Sequence, residues 1–265
     1  MANQDKKTVS FRISDGSAVK LEYHDSLSST TELAREYAKA GYPDKFVVFT
    51  EKQTETPITH TKLGSGAAEN GIFISVILRP SVFPSQAALL SHLCAVALTT
   101  ALDEHTTANS KIGWVSDVYF DGVRVGGAAI EGKLTDYSSF EYIIVSFAVK
   151  MDEEKFPARM SDMIRKVFES ENLTIGMIIA KTILEKFFAV YAKIKTPEKY
   201  MKIYSDKFLL TGKKIKYLDG TKKLPCKVLE VDKTNGALIV DIGGGVRKTI
   251  TSPSGVFIPK KIKVD

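Results

Sequence analysis

A chain of 265 residues, 44% hydrophobic and 26% charged, can bury a real core as one large domain or a large and a small one, which excludes a disordered or low-complexity polymer. The net charge of +6 raises nucleic acid as a partner, but the lysines gather locally, from Lys193 to Lys223 and at Lys260, Lys261 and Lys263. Arginine is scarce and no zinc-finger, RNP or helix-turn-helix pattern occurs, so a solvated basic surface is preferred and no DNA is expected.

The opening residues, Met1 to Ser10, are polar and lack the apolar stretch of a secretion signal, which leads to the expectation of a cytoplasmic protein. Ser29-Thr30-Thr31-Glu32 has the form of a capping box before Leu33, Ala34, Tyr37 and Ala38, so a helix is predicted from about Thr30 to a stop at Gly41. Phe46 to Thr50 reads as a short buried strand. Gln53 to Asn70 has no apolar period and reads as a long loop, a kind of segment that is usually functional or mobile. Ile72 to Arg79 is a strand, and Ser85 to His105 has helical spacing with Leu89, Leu93, Val96, Ala97 and Leu102 inward. Three strands follow, at Ile112 to Phe120, Val123 to Ile130 and Tyr142 to Met151, with Asp121-Gly122 as a hairpin turn.

Helices are then predicted at Pro157 to Phe168 and Thr174 to Ile194, with a short one from Pro197. The apolar run Leu173 to Ala192 carries Lys181, Glu185 and Lys186, which suits an amphipathic core helix and not a membrane span. Beyond Phe208 come short β-runs, Lys214 to Leu218, Cys226 to Asp232, Ala237 to Ile242 and Val246 to Thr251, split by Asp219-Gly220, Asn235-Gly236 and Gly243-Gly244-Gly245. The expected fold is therefore α+β, a mixed sheet with flanking helices over residues 1–207, followed by a small β-barrel over residues 208–265. Cys94 and Cys226 read as reduced and buried. His24, His60, His92 and His105 have no metal-ligand spacing, and no nucleophile–base pattern of a hydrolase occurs.

Several stretches resemble the biotin–protein ligases, in the form without an N-terminal DNA-binding domain. Ser29-Thr30-Thr31 falls where that family has D-S-T-N, with Ser28 for Asp and Thr31 for Asn, and Gln53-Thr54 falls where its glycine- and arginine-rich loop opens. Ile72 to Pro80 resembles L-Y-L-S-x-x-L-R-P. Ile112 to Asp117 lies where the family has K-W-P-N-D, and Gly122 to Glu131 resembles G-x-K-x-x-G-I-L-x-E, with Arg124 at the lysine. Thr211 to Ile258 resembles the C-terminal SH3-like barrel.

The resemblance implies a ligase that joins biotin to AMP from ATP, with Mg²⁺, and passes the biotinyl group to a lysine of a carrier protein. It also implies a homodimer through the sheet edge. The ligand-binding residues it points to are Ser29, Thr30, Gln53, Trp114, Asp117, Arg124 and Gly127. Adenylation brings a carboxylate to an α-phosphate, so cations and close backbone N–H groups must hold them in line. Here the loop Thr54 to Lys62 has no arginine and no glycine. Gly113 stands at the catalytic lysine, and Ser146 and Ala148 replace two glycines of the strand motif G-x-G-I-N.

Three readings follow. One is a degenerate homologue, a pseudoenzyme kept as a module that binds a biotin-like acid or a carrier-protein domain, with no catalytic residue and no cofactor assigned. The second is a divergent active ligase that draws phosphate charge from Lys111, Lys62 or Arg124; Lys111 lies two residues before Gly113 and would share its face in a strand. The third is nucleic-acid binding through the lysine-rich region. Blander roles compete at single residues: Ser29 and Thr30 as helix caps, Gln53 as a solvated loop residue, and Trp114 as a core anchor.

Overall fold

The computed structural model describes residues 6–13, 16–55, 69–82, 84–85, 87–106, 109–137, 139–150, 174–259 and 261–263. The predicted helix at Pro157 to Phe168 and most of the loop after Gln53 lie outside them. An eight-stranded sheet is built from β1 (Lys6–Arg12), β2 (Ala18–His24), β3 (Phe46–Gln53), β4 (Glu69–Leu78), β5 (Lys111–Ile112), β6 (Val118–Phe120), β7 (Val123–Leu134) and β8 (Phe140–Lys150). Its order is β1-β2-β3-β4-β8-β7-β6-β5, antiparallel except between β2 and β3. Helices α1 (Thr30–Lys39), α2 (Leu90–His105), α3 (Ile175–Tyr191) and α4 (Glu198–Lys207) flank it.

Both faces of the sheet centre are covered, which is why β3 and β4 read as nearly continuous apolar runs. On one face Val47, Phe49, Ile72, Ile74 and Val76 join one core with residues of α2 and α3, among them Leu93, Val96, Ile179 and Phe187. On the other face Ala34 and Ala38 of α1 pack with Phe46, Val48, Ile77, Tyr142 and Ile144. The second sheet holds β9 (Lys214–Asp219), β10 (Lys222–Val231), β11 (Leu238–Asp241), β12 (Arg247–Ile250) and β13 (Val256–Phe257), in the order β12-β11-β10-β9-β13. The α+β class predicted from the pattern is thus the observed one. No helix among the described residues is long and apolar enough to cross a membrane.

Two expectations need correction, and three strands were not anticipated. The helix predicted from Ser85 starts at Leu90, because residues 87 to 90 form i to i+3 turns (Ala87 N–H to Pro84 O, Leu90 N–H to Ala87 O) and Leu89 has no side chain able to cap. The strand predicted over Ile112 to Phe120 is two strands, β5 and β6, folded back on each other with Ile112 opposite Val118. The apolar run hid a turn at 113–117. Strands β1 and β2 were not among the predicted elements, and β13, too short to show a period, was not either.

One carbonyl joins the two sheets. The Asn235-Gly236 turn enters the main unit, where Gly236 O accepts from Trp114 Nε1 at 2.9 Å and from His92 Nε2 at 3.0 Å. A Cβ on Gly236 would stand 2.2 Å from His92 Cε1, and the residue has φ +74°, so glycine is required twice over. The chain end returns as well: Ile262 N–H donates to Gly122 O at 2.7 Å and Tyr119 OH to Pro259 O at 3.1 Å.

Burial pushes the His92 imidazole down from its ordinary 6.5 to about 4, with the Gly236 contact acting weakly the other way. Between those values the unfolded chain takes up a proton that the folded one refuses. Stability therefore falls as pH drops from about 6.5 toward about 4 and levels off below, by a few kcal/mol at most. His105 is lowered too and adds in the same direction. Guanidinium unfolding at pH 7 and pH 5 checks this, with His92→Phe expected to flatten the dependence.

Candidate functional site

The face of the large sheet that carries α1 holds a strip of polar side chains that begins at the start of that helix. Ser29 caps it, its Oγ accepting from Glu32 N–H at 3.3 Å. The amide of Gln53, at the end of β3, is turned toward Thr30: Gln53 Oε1 accepts from Thr30 N–H at 3.0 Å and from its hydroxyl at 3.3 Å, while Nε2 donates to Glu55 O. Gln53 is buried and is not the solvated loop residue of the blander reading.

From Thr30 the contacts run across two strands and back to the helix. Ser75 Oγ on β4 donates to Thr30 Oγ1 at 3.0 Å, Ser75 and Ser146 hydroxyls lie 2.9 Å apart, and Ser146 on β8 meets Thr31 Oγ1 at 2.8 Å. Ser75 and Ser146 were not singled out together from the sequence. The signal was present, since each is a lone hydroxyl in an otherwise apolar buried run, Ile72 to Leu78 and Ile143 to Val149. Such groups are found paired because an unpaired buried hydroxyl is costly.

Beyond Ser146 the strip passes Ala148, which lies opposite Gly127 of β7. Gly127 makes room for the 113–117 turn: its Cβ would meet Ser116 O at 3.0 Å and Asp117 Oδ1 at 3.3 Å. Asp117 is buried and pairs with Arg124, Nε to Oδ1 3.2 Å, both side chains under a tenth exposed. Ser116 Oγ donates to Ala128 O at 2.7 Å, and Tyr204 OH of α4 donates to Val115 O at 2.9 Å. Trp114 is buried with its N–H on Gly236 O, so the core-anchor reading describes its setting.

Of the residues picked from the sequence, Ser29, Thr30 and Gln53 thus form one group at the helix start, and Trp114, Asp117, Arg124 and Gly127 a second around the turn. Neighbouring strands β7 and β8 link the two. Gly113 is buried behind Tyr119, whose Cε2 lies 2.6 Å from where a Cβ would be. Lys111 loses the argument that put it on the same face as Gly113, because β5 ends at Ile112. His60 and Lys62 lie outside the described residues. Among those described, no three His, Cys, Asp or Glu side chains gather where they could hold a metal ion.

Charge in this region is balanced internally. Burial first, then Asp117, raises the Tyr119 phenol, while Arg124 acts against them. At the outer edge Arg35 of α1 grips Glu131 of β7 with two bonds, 2.7 and 2.8 Å. Arg79, in the run that resembles L-Y-L-S-x-x-L-R-P, lays its guanidinium on Ala38 O, Tyr42 O and Glu141 O, at 2.7 to 3.1 Å. It clamps the end of α1 to the sheet and is structural here.

No family model matches the chain. The bifunctional ligase/repressor BirA of Bacillus subtilis is 25% identical over 238 residues, 86% of this chain and 71% of that protein. Its Bacillus spizizenii counterpart is 25% identical over 237 residues, again 86% of this chain and 71% of that protein. The biotin protein ligase of Aquifex aeolicus, solved in complex with biotin and ATP, superposes with a TM-score of 0.64 at 20% identity, over 90% of this chain and 97% of that one. In sequence over most of its length and in fold, this chain is similar to biotin protein ligases. A biotin protein ligase-like protein of unknown function from Silicibacter is similar in fold too, with a TM-score of 0.58 at 14% identity, over 84% of this chain and 90% of that one.

The packing at 113 is built around a glycine, and a side chain there would have to displace Tyr119. Tyr119 is fully buried and its hydroxyl is bound to Pro259 O, so the ring has little freedom to yield. Gly113→Lys is expected to lower stability by roughly 1–3 kcal/mol, as overpacking does. Guanidinium unfolding of the variant measures it.

Proposed function

We propose that the chain is a biotin protein ligase homologue impaired in ordinary biotin adenylation and retained as a module that binds a small organic acid or a carrier-protein domain. The observation that carries this reading is the state of the two cation positions. Gly113 supplies no side chain where the family pattern has a lysine, and Arg124, at the second lysine position, is held by Asp117 in a buried ion pair.

An arginine in such a pair is a poor phosphate ligand. Releasing it to a nucleotide leaves Asp117 as a buried, uncompensated charge, at a cost of roughly 3–5 kcal/mol. The transition state of adenylation places additional negative charge in the same region, so the loss falls on the step that needs cations most. The polar row from Gln53 to Thr31, by contrast, is hydrogen-bonded throughout and buried except at Thr31, which supports a ligand site.

Biotin-dependent exchange of labelled pyrophosphate into ATP tests the activation half-reaction without an acceptor protein. The expected result is exchange no higher than the no-biotin blank. Exchange well above it would instead favour a divergent active ligase, and Lys111, Lys62 and Arg124 would then be the cations to replace by alanine.

A further inference from the structure

Thr31 and Ser146 are both departures from the family pattern, the first standing for asparagine and the second for glycine. They lie 115 residues apart in sequence, on α1 and β8, yet their hydroxyls are 2.8 Å apart. Independent decay at two positions gives no reason for the new groups to meet as partners. A glycine at 146 would leave the hydroxyls of Thr31 and Ser75 without the group that bridges them.

Proton accounting gives this row a direction. Thr30 donates its hydroxyl proton to Gln53 Oε1, and Ser75 donates to Thr30. Each hydroxyl has one proton, so Ser146 must donate to Ser75, and Thr31 to Ser146. Every hydroxyl proton in the row is spent inside the protein. What remains is a set of lone pairs, and the row opens at Thr31, its only partly exposed member. Lone pairs receive N–H or O–H donors and repel carboxylate and phosphate. Ser146 and Ala148 also project side chains on the α1 face where glycines would leave space.

We propose that Thr31 and Ser146 act as one coupled specificity pair, fitting the site to a ligand whose inner end is uncharged, donates hydrogen bonds and is slimmer than biotin. This rests on the reading of the chain as a retained binding module. The test is calorimetric titration of biotin into the full chain as it stands, into Thr31→Asn, into Ser146→Gly and into the double variant. The double variant is expected to bind biotin about tenfold or more tightly than the unaltered chain, with each single change gaining less than about threefold. A double variant no tighter than the unaltered chain, or a gain delivered entirely by Ser146→Gly, would overturn the proposal.

Because the double variant can fail to fold, a second cycle uses Thr31→Val, Ser146→Ala and both together in guanidinium unfolding. The unfolding constant is expected to show a coupling of about fivefold, and additive effects would overturn the pair. Pyrophosphate exchange by the unaltered chain would sink the impaired-activation reading and leave this coupling measurable, so the two failures are distinguishable.

Discussion

The carbonyl of Gly236 holds the molecule together at the point where its two sheets meet. It receives the indole of Trp114 and the imidazole of His92, both buried, and so fixes the 113–117 turn, helix α2 and the Asn235-Gly236 turn against one another. Unsatisfied, two buried N–H groups would each cost roughly 1–3 kcal/mol. The clamp therefore does more than attach the second sheet. With Tyr204 bound to Val115 O and Tyr119 bound to Pro259 O, it determines where Gly113 and Asp117 sit, and with them the electrostatics of the strip along β7 and β8.

The departures from the family pattern fall into two physical kinds. At Gly113 and Arg124, where the resembled pattern has lysines, a phenol ring fills the space and an ion pair engages the arginine. At 146 a hydroxyl stands where the resembled pattern has glycine, and it and the Thr31 hydroxyl satisfy each other. The first kind bears on the proposed impairment of phosphate chemistry, the second on the proposed choice of ligand. A site that had merely decayed would be expected to leave buried polar groups unmatched. In this row each hydroxyl has its partners.

Local signals in the sequence determined much of the frame. The Ser29 cap, the alternation and length of the apolar runs, and the Asp121-Gly122 hairpin, which takes up φ +48° and +75°, depend on neighbours a few residues away, so a reader of the chain can find them. The family motifs likewise named Thr30, Gln53, Asp117 and Gly127 because short stretches carry them. Tertiary structure alone decided the rest. The run from Ile112 to Phe120 reads as one strand until the pairing of Ile112 with Val118 folds it in two. Whether Arg124 is free for phosphate depends on Asp117 across a hairpin, and whether Ser146 is idle or bound depends on a helix 115 residues away. Hydrogen bonds and ion pairs act over about 3 Å of space with no regard to sequence distance, so their partners are settled only once the sheet has brought them side by side.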